Sequence, residues 1–529
     1  MPDSQASPAP TTPQLSAGPR EWLGLAVLAL PTLLLAMDVT VLYLAAPHLT
    51  ADLRPTGIEQ LWIADIYGFM IAGLLITMGT VGDRIGRRKL LMLGATAFGA
   101  ASVLAAFATS PLLLIIARAL LGIAGATLMP STLALISNMF RDARQRATAI
   151  GVWATCMSAG MAAGPIIGGL LLESFWWGSV FLLAVPVMAL LLTTAPVLLP
   201  EYRDAGAGRI DIASVLLSLA AILPLIFGIK KAAETEISVV PVTAIAIGVG
   251  FGSMFIRRQR TLADPLLELG LFGNPTFRAA LLILLLGLGT VGGSYLFITQ
   301  YLQLVRGLTP LAAGLWLVPP AGALILSSTL TPIIARKVES RFILAAALAL
   351  ATLGYLTLSL VDAVGGLPLL ILGFVLVYAG VSPLMVLGTD LVIGTTPPEK
   401  AGSAAAMSET SMEFGVATGI AVLGVLGTAI YRAEVSGAPA MPGPALDSLG
   451  AADAAVADLP AHAGDAVLNA AREAFTNGLN IIALVCAAVT AALAVVALTA
   501  LRSSATADKP DTRSAKGEQA GGRCGAADG

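Results

Sequence analysis

Fourteen apolar blocks, most of them about twenty residues or longer and separated by polar breaks, dominate this chain and decide what it can fold into. In a helix, about twenty residues at 1.5 Å of rise cross roughly 30 Å of hydrocarbon. A bilayer offers no water to backbone polar groups, so such blocks must close their hydrogen bonds within themselves. They fall near 22–46, 59–81, 90–109, 112–136, 148–172, 179–199, 211–229, 238–256, 278–303, 311–335, 342–361, 367–393, 403–430 and 479–501. Only 12% of residues are charged, about half the level of a soluble domain, and mean hydropathy is +0.87. A water-soluble enzyme is excluded; the expected fold class is all-α, a polytopic membrane protein.

Lysine and arginine orient the chain, because cytoplasmic segments carry the excess of both. With the N-terminus inside, 23 of the 30 basic residues fall in inside segments, six in outside segments, and Arg118 within a span. Both ends are therefore expected in the cytoplasm, as an even number of spans requires. Residues 1–20 and 503–529 read as disordered cytoplasmic tails, and 21–200 and 276–502 as six-helix halves. Secondary transporters commonly set two such halves around a midplane site, so 201–275 reads as two inserted helices with charged linkers, apart from the pathway. Lys230 and Lys231 count with the outside residues. The longest polar interruption, 432–476, is expected outside, with a surface helix from Ala461 to Ala474.

A charge at the bilayer centre costs about 2.5 to 3.5 kcal/mol on insertion scales, so each one within a span needs a reason. Glu409 and Glu413 in the thirteenth span are four residues apart, on one face of a helix. Two carboxyls so placed suit a group that binds either a proton or a cation; the other reading is packing, with both bonded to Ser408, Thr410 or Ser411. Asp38, in LAMDVTVLYLAAP, and Asp65, in LWIADIYGF, fall in the outer halves of their spans. Asp38 either takes part in exchange or braces the first helix against Arg118. Asp65 either lines the path or stands solvated at its mouth. Arg118 keeps its charge under ordinary conditions and is expected to pair with an acid. Glu173 and Asp390 lie at span ends, within reach of water. Trp62, Tyr67 and Phe414 neighbour the acids and can offer cation–π faces.

GMAAGPIIGG at 160–169 sets Gly160, Gly164 and Gly168 at intervals of four, with Pro165 and Gly169 alongside. The stripe permits close helix approach, and the proline removes a backbone bond and bends the helix. GTVGDRIGRRK at 79–89, holding Gly79, Asp83, Arg84, Gly86 and Arg87, reads as a tight cytoplasmic loop with a charge lock between helix ends. ARKVESR at 335–341 falls where a repeat of that loop is due, without its aspartate. The chain contains no Gly-Lys dipeptide, hence no phosphate-cradling GK[ST] loop. Its two histidines and three cysteines form no metal-ligand or disulfide pattern. No cofactor and no metal are called for, and an ion gradient is left as the energy source.

With MDVTVLYLAAP at 37–47, LWIADIY, GTVGDRIGRRK, RALLGIAGA at 118–126, GMAAGPIIGG and AGSAAAMSETSMEFG at 401–415, nearly the whole chain resembles the fourteen-helix drug:proton antiporters of the major facilitator superfamily. LWIADIY and AGSAAAMSETSMEFG are similar in particular to the exporters of quaternary ammonium compounds and cationic dyes. The resemblance implies a 6+2+6 fold, a monomer in the bacterial inner membrane, and export of lipophilic cations, with other antibiotics in range, in exchange for protons. It implies substrate and proton exchange at Asp38, Asp65 and Glu409, and proton coupling at Arg118. It further implies a cytoplasmic gate at Asp83, Arg84 and Arg87, and an antiport-competent bend at Gly160, Gly164 and Pro165. The chain departs from the subgroup at Ser408, where some members carry an acid, and in an acid-free tenth span; both imply a preference for monocations over dications. A same-fold exporter of an endogenous metabolite, antibiotic or lipid stays open, as does a non-transporting regulatory protein using 432–476 as its partner site. The expected partners are cationic lipophilic small molecules, protons and the bilayer, with no nucleic acid.

Overall fold

A computed structural model describes residues 17–203, 211–234, 239–262, 265–267, 269–396, 401–436, 442–456 and 460–501. Of the expected tails, 1–16 and 502–529 lie outside these residues. Among the described residues the secondary structure is helical, with no strand. The first half comprises α1 (Pro19–Leu53), α2 (Gly57–Ile85), α3 (Arg87–Ala106), α4 (Pro111–Met139), α5 (Ala143–Ser174), α6 (Ser179–Leu182) and α7 (Ala184–Leu198). The central pair is α8 (Ile212–Glu234) and α9 (Val239–Gln259). The second half comprises α10 (Pro275–Gln300), α11 (Pro310–Trp316), α12 (Val318–Ala335), α13 (Ser340–Leu358), α14 (Leu367–Gly394), α15 (Ala401–Val435), α16 (Leu449–Ala455) and α17 (Ala461–Ala500).

Fourteen of these helical stretches are long and apolar enough to cross a membrane, the number expected. Their starts follow from local chemistry. Thr56 and Glu59 form a reciprocal capping box at α2, and Ser110 and Asn274 cap α4 and α10 ahead of a proline at the first helical position. The tenth span is two helices broken at Leu317, ahead of Pro319 and Pro320, which lack the N–H that a continuous helix would bond.

Within the first half α1 packs on α5, α2 and α3 pack on α4, and α3 packs on α7. Within the second, α10 packs on α14, α15 and α17, and α13 on α14 and α17. The halves meet along two seams, α2 against α15 and α5 against α11. At the α5/α11 seam the backbones come so close that a Cβ on Gly169 would stand 2.7 Å from the Leu311 Cα, and one on Gly314 would overlap the Pro165 carbonyl. Near that end the Gln303 side-chain amide donates to the Leu44 carbonyl at 3.0 Å, tying the π-helical turn Tyr301–Val305 that follows α10 to α1. At the opposite end Val152, Ala154 and Thr155 of α5, and Ile333 and Ile334 of α12, are exposed.

Three expectations need correction. The segment 79–89 is not a loop: α2 runs to Ile85 and α3 starts at Arg87, so the chain turns on Gly86 alone, at φ +111°. Only glycine takes that angle without strain. The surface helix expected over 461–474 is continuous with the last span, because Ala461–Ala500 has no Pro or Gly pair to stop it. The central pair does not stand aside, since α8 packs against both α2 and α15, one helix from each half.

Candidate functional site

Arg118 of α4 is 1% exposed and lies at the centre of the first half. Its Nη1 donates to Asp38 Oδ2 of α1 at 2.5 Å, its Nε donates to the Ile63 carbonyl of α2 at 3.2 Å, and its guanidinium stacks 4.5 Å from the Tyr67 ring centroid. One cation thus ties three helices together. The structure places Asp38 as the brace of Arg118, while leaving its carboxylate 10% exposed. Tyr67 stands within electrostatic reach of Asp38, Arg118 and Glu413, so the first-half pair and one second-half acid share a neighbour. Tyr43, which packs edge-on against Tyr295 at 5.3 Å, lies within reach of Arg118, Asp65 and Glu413.

Asp65 is fully buried and not a solvated mouth residue. Its two oxygens lie 2.9 and 2.7 Å from the Lys230 ammonium of α8, itself fully buried, and that ammonium sits 3.8 Å from the Trp62 ring centroid. The position of Lys230 after an apolar run puts it outside, but the helix carries it inward, where it is fully buried. Ile222, Ile226 and Lys230 follow one another at intervals of four on one face of α8, and Ile222 and Ile226 pack in a cluster with Trp62, Phe69, Phe414, Ala417 and Ala421. That spacing was the signal available in the sequence.

Glu409 and Glu413 are half-buried on α15. Neither has a hydrogen-bond or ion partner among the described residues. The neighbouring hydroxyls expected to bond them, Ser408 and Thr410, are themselves buried without partners. Packing through those hydroxyls therefore does not account for the glutamates. Phe414 packs at 5.9 Å and 64° against Phe69. Glu173 and Asp390 are both exposed.

The remaining motif residues act between helices. Arg87 donates to Asp83 at 2.8 Å across the α2/α3 junction, and the Arg88 backbone N–H bonds Glu201 beyond α7. This charge lock joins α2 and α3 to the start of the linker that follows α7, and among the described residues it reaches nothing in the second half. Arg84 is exposed at the end of α2, and Gly79 lies inside that helix with open space beside it. Gly160, Gly164 and Gly168 face Leu33, Thr40 and Val41 of α1, while Gly169 and Pro165 face α11. The stripe therefore serves two interfaces, one within a half and one between halves.

Two six-span halves closing at one end over a set of intramembrane charges define a membrane transporter and not an enzyme. Residues 28–430 match the Major Facilitator Superfamily, and the chain belongs to that family. It is 42% identical over 496 residues to the multidrug efflux pump LfrA of Mycolicibacterium smegmatis, covering 93% of this chain and 98% of that protein. It is 34% identical over 467 residues to the methyl viologen resistance protein SmvA of Salmonella typhimurium, covering 86% and 93%. Among solved structures, a bacterial homologue of the human lysosomal transporter Spinster, inward-facing and unoccupied, superposes with a TM-score of 0.64 at 16% identity, covering 92% of this chain and 99% of that one.

Proposed function

We propose that this protein is a proton-coupled multidrug exporter that moves lipophilic cations out of the cytoplasm in exchange for protons. The observation that carries the reading is an imbalance of charge. Asp38 and Asp65 each hold a basic partner, whereas Glu409 and Glu413 share one helix face with none. A carboxylate without a counter-charge is costly at membrane depth, so these two call for a proton, an organic cation or water, and exchange among the first two is antiport. The names of its relatives, an efflux pump and a resistance protein, support drug export as the broader activity.

In this reading both termini are cytoplasmic, the membrane is the bacterial inner membrane, and the protein works as a monomer without a cofactor. The end closed by Gly169, Leu311 and Gln303 is then the outer one. Arg118 keeps Asp38 oriented while Glu409 and Glu413 take up and release the proton. Trp62, Tyr67 and Phe414 supply aromatic faces around the charges.

The test is ethidium extrusion from loaded vesicles by wild type and Glu409→Gln across a range of imposed pH gradients. Extrusion that follows the gradient in wild type and is lost in Glu409→Gln is expected. Extrusion that persists without a gradient refutes proton coupling. A deletion strain with no dye or biocide phenotype points instead to a dedicated exporter of an endogenous metabolite or lipid.

A further inference from the structure

A lysine ammonium resting on a carboxylate and against a tryptophan face is an organic-cation site whose cation is part of the protein. Asp65 supplies the anion, with both oxygens within 2.9 Å of Nζ, and Trp62 supplies the ring at 3.8 Å. The same two features, charge neutralisation and a π-face, are what recognise an ammonium or phosphonium ligand. The site lies where α8 meets the α2/α15 seam, with Phe69, Ile226, Phe414, Ala417 and Ala421 packed beside it. α8 and α9 are otherwise the least enclosed of the spans, so most of the pair's surface faces away from the protein while the face carrying Ile226 and Lys230 reaches its interior.

Resting on the cation-export reading, we infer that Lys230 is a tethered cation occupying a substrate subsite formed by Asp65 and Trp62, which an organic cation fills by displacing it. The central helix pair then sets a threshold for binding. A weak cation cannot replace an ammonium that donates directly to Asp65. A lipophilic quaternary cation forgoes that hydrogen bond but covers the indole more fully and enters with its own apolar surface. Neutral drugs, having nothing to offer Asp65, leave Lys230 in place and occupy other parts of the path.

The inference is tested with the purified full-length chain and tetraphenylphosphonium as probe. In wild type, saturating probe is expected to raise the rate at which an amine-directed reagent modifies Lys230, read by peptide mass spectrometry. Lys230→Met is expected to bind the probe about thirtyfold more tightly, the size of one desolvated cation–π contact of about 2 kcal/mol. Lys230→Arg, which still offers Asp65 a tethered cation, is expected to show no such gain, and Asp65→Asn combined with Lys230→Met loses it. A purely structural ion pair would instead lower the stability of Lys230→Met with no gain in affinity, and that result overturns the inference. The labelling experiment needs no variant to fold. Wild type that binds the probe with Lys230 labelling unmoved defeats the tethered cation alone, whereas wild type that binds no organic cation defeats the cation-export reading itself.

Discussion

Neutralising Asp38 by Asp38→Asn should destabilise the protein more than removing the whole Asp38–Arg118 pair. Arg118 is 1% exposed and cannot escape to water. Breaking a buried pair by deleting one partner costs about 3 to 5 kcal/mol, because it strands the other charge. Arg118 would keep the Ile63 carbonyl and the Tyr67 ring, contacts worth about 1 kcal/mol each, and the 10% exposure of Asp38 trims the loss further. The expected cost is therefore at the low end, about 3 kcal/mol. Asp38→Asn combined with Arg118→Leu leaves no stranded charge and should cost only about 1 kcal/mol. Equilibrium unfolding in mixed dodecyl maltoside and dodecyl sulfate micelles measures both. A double variant that loses the sum of the two single losses would refute the pairing argument, since the residues would then be acting independently.

Two further outcomes are expected. Asp211, at the start of α8, accepts two bonds from Arg258 at 3.0 and 2.8 Å and is also bonded by Ser214, and these hold its carboxyl down to about 2. Because the folded value lies below the ordinary 3.8, the pair stabilises the α8–α9 hairpin above about pH 4 and that stabilisation is lost as pH falls through about 2; Arg258→Ala should reduce this acid dependence in thermal melts between those limits, leaving the part that Ser214 supplies. Gly169→Ile adds atoms where the Leu311 backbone stands only 2.7 Å from a Cβ, an overpacking of about 1 to 3 kcal/mol against the closed end. That should cut occupancy of the closed state by roughly five- to 150-fold, slowing ethidium export while probe binding survives; export at the wild-type rate would show that this end does not need to close.

Much of the fold was legible because the bilayer leaves so few options. An apolar block of twenty residues has one way to satisfy its backbone, and the count of such blocks gave fourteen spans before any packing was known. Span edges were less legible. Nothing in the hydropathy of 461–474 says that an Ala-rich surface segment joins the span after it, since that depends only on the absence of a break. The segment 79–89 looked like a loop for its charge, yet seven of those residues close α2, and one glycine at φ +111° makes the turn.

The candidate site divides in the same way. Residue chemistry and span membership singled out Asp38, Asp65, Arg118, Glu409 and Glu413 as costly charges, and the i, i+4 spacing put the two glutamates on one face. Of the neutralising partners only Arg118 was in view there, as one of two readings of Asp38, because a charge finds its partner across the bundle: Asp38 is 80 residues from Arg118, and Asp65 is 165 residues from Lys230. The one-dimensional tally even placed Lys230 outside, since it sees only that a lysine follows an apolar run. The amino-acid sequence by itself therefore determined a fourteen-span membrane protein and the short set of charges within it, because hydrocarbon penalises each polar group locally. Only the tertiary structure decided that two of those acids are paired, that two are not, and that a helix from the central pair supplies one of the partners, because electrostatic neutralisation depends on distance in space.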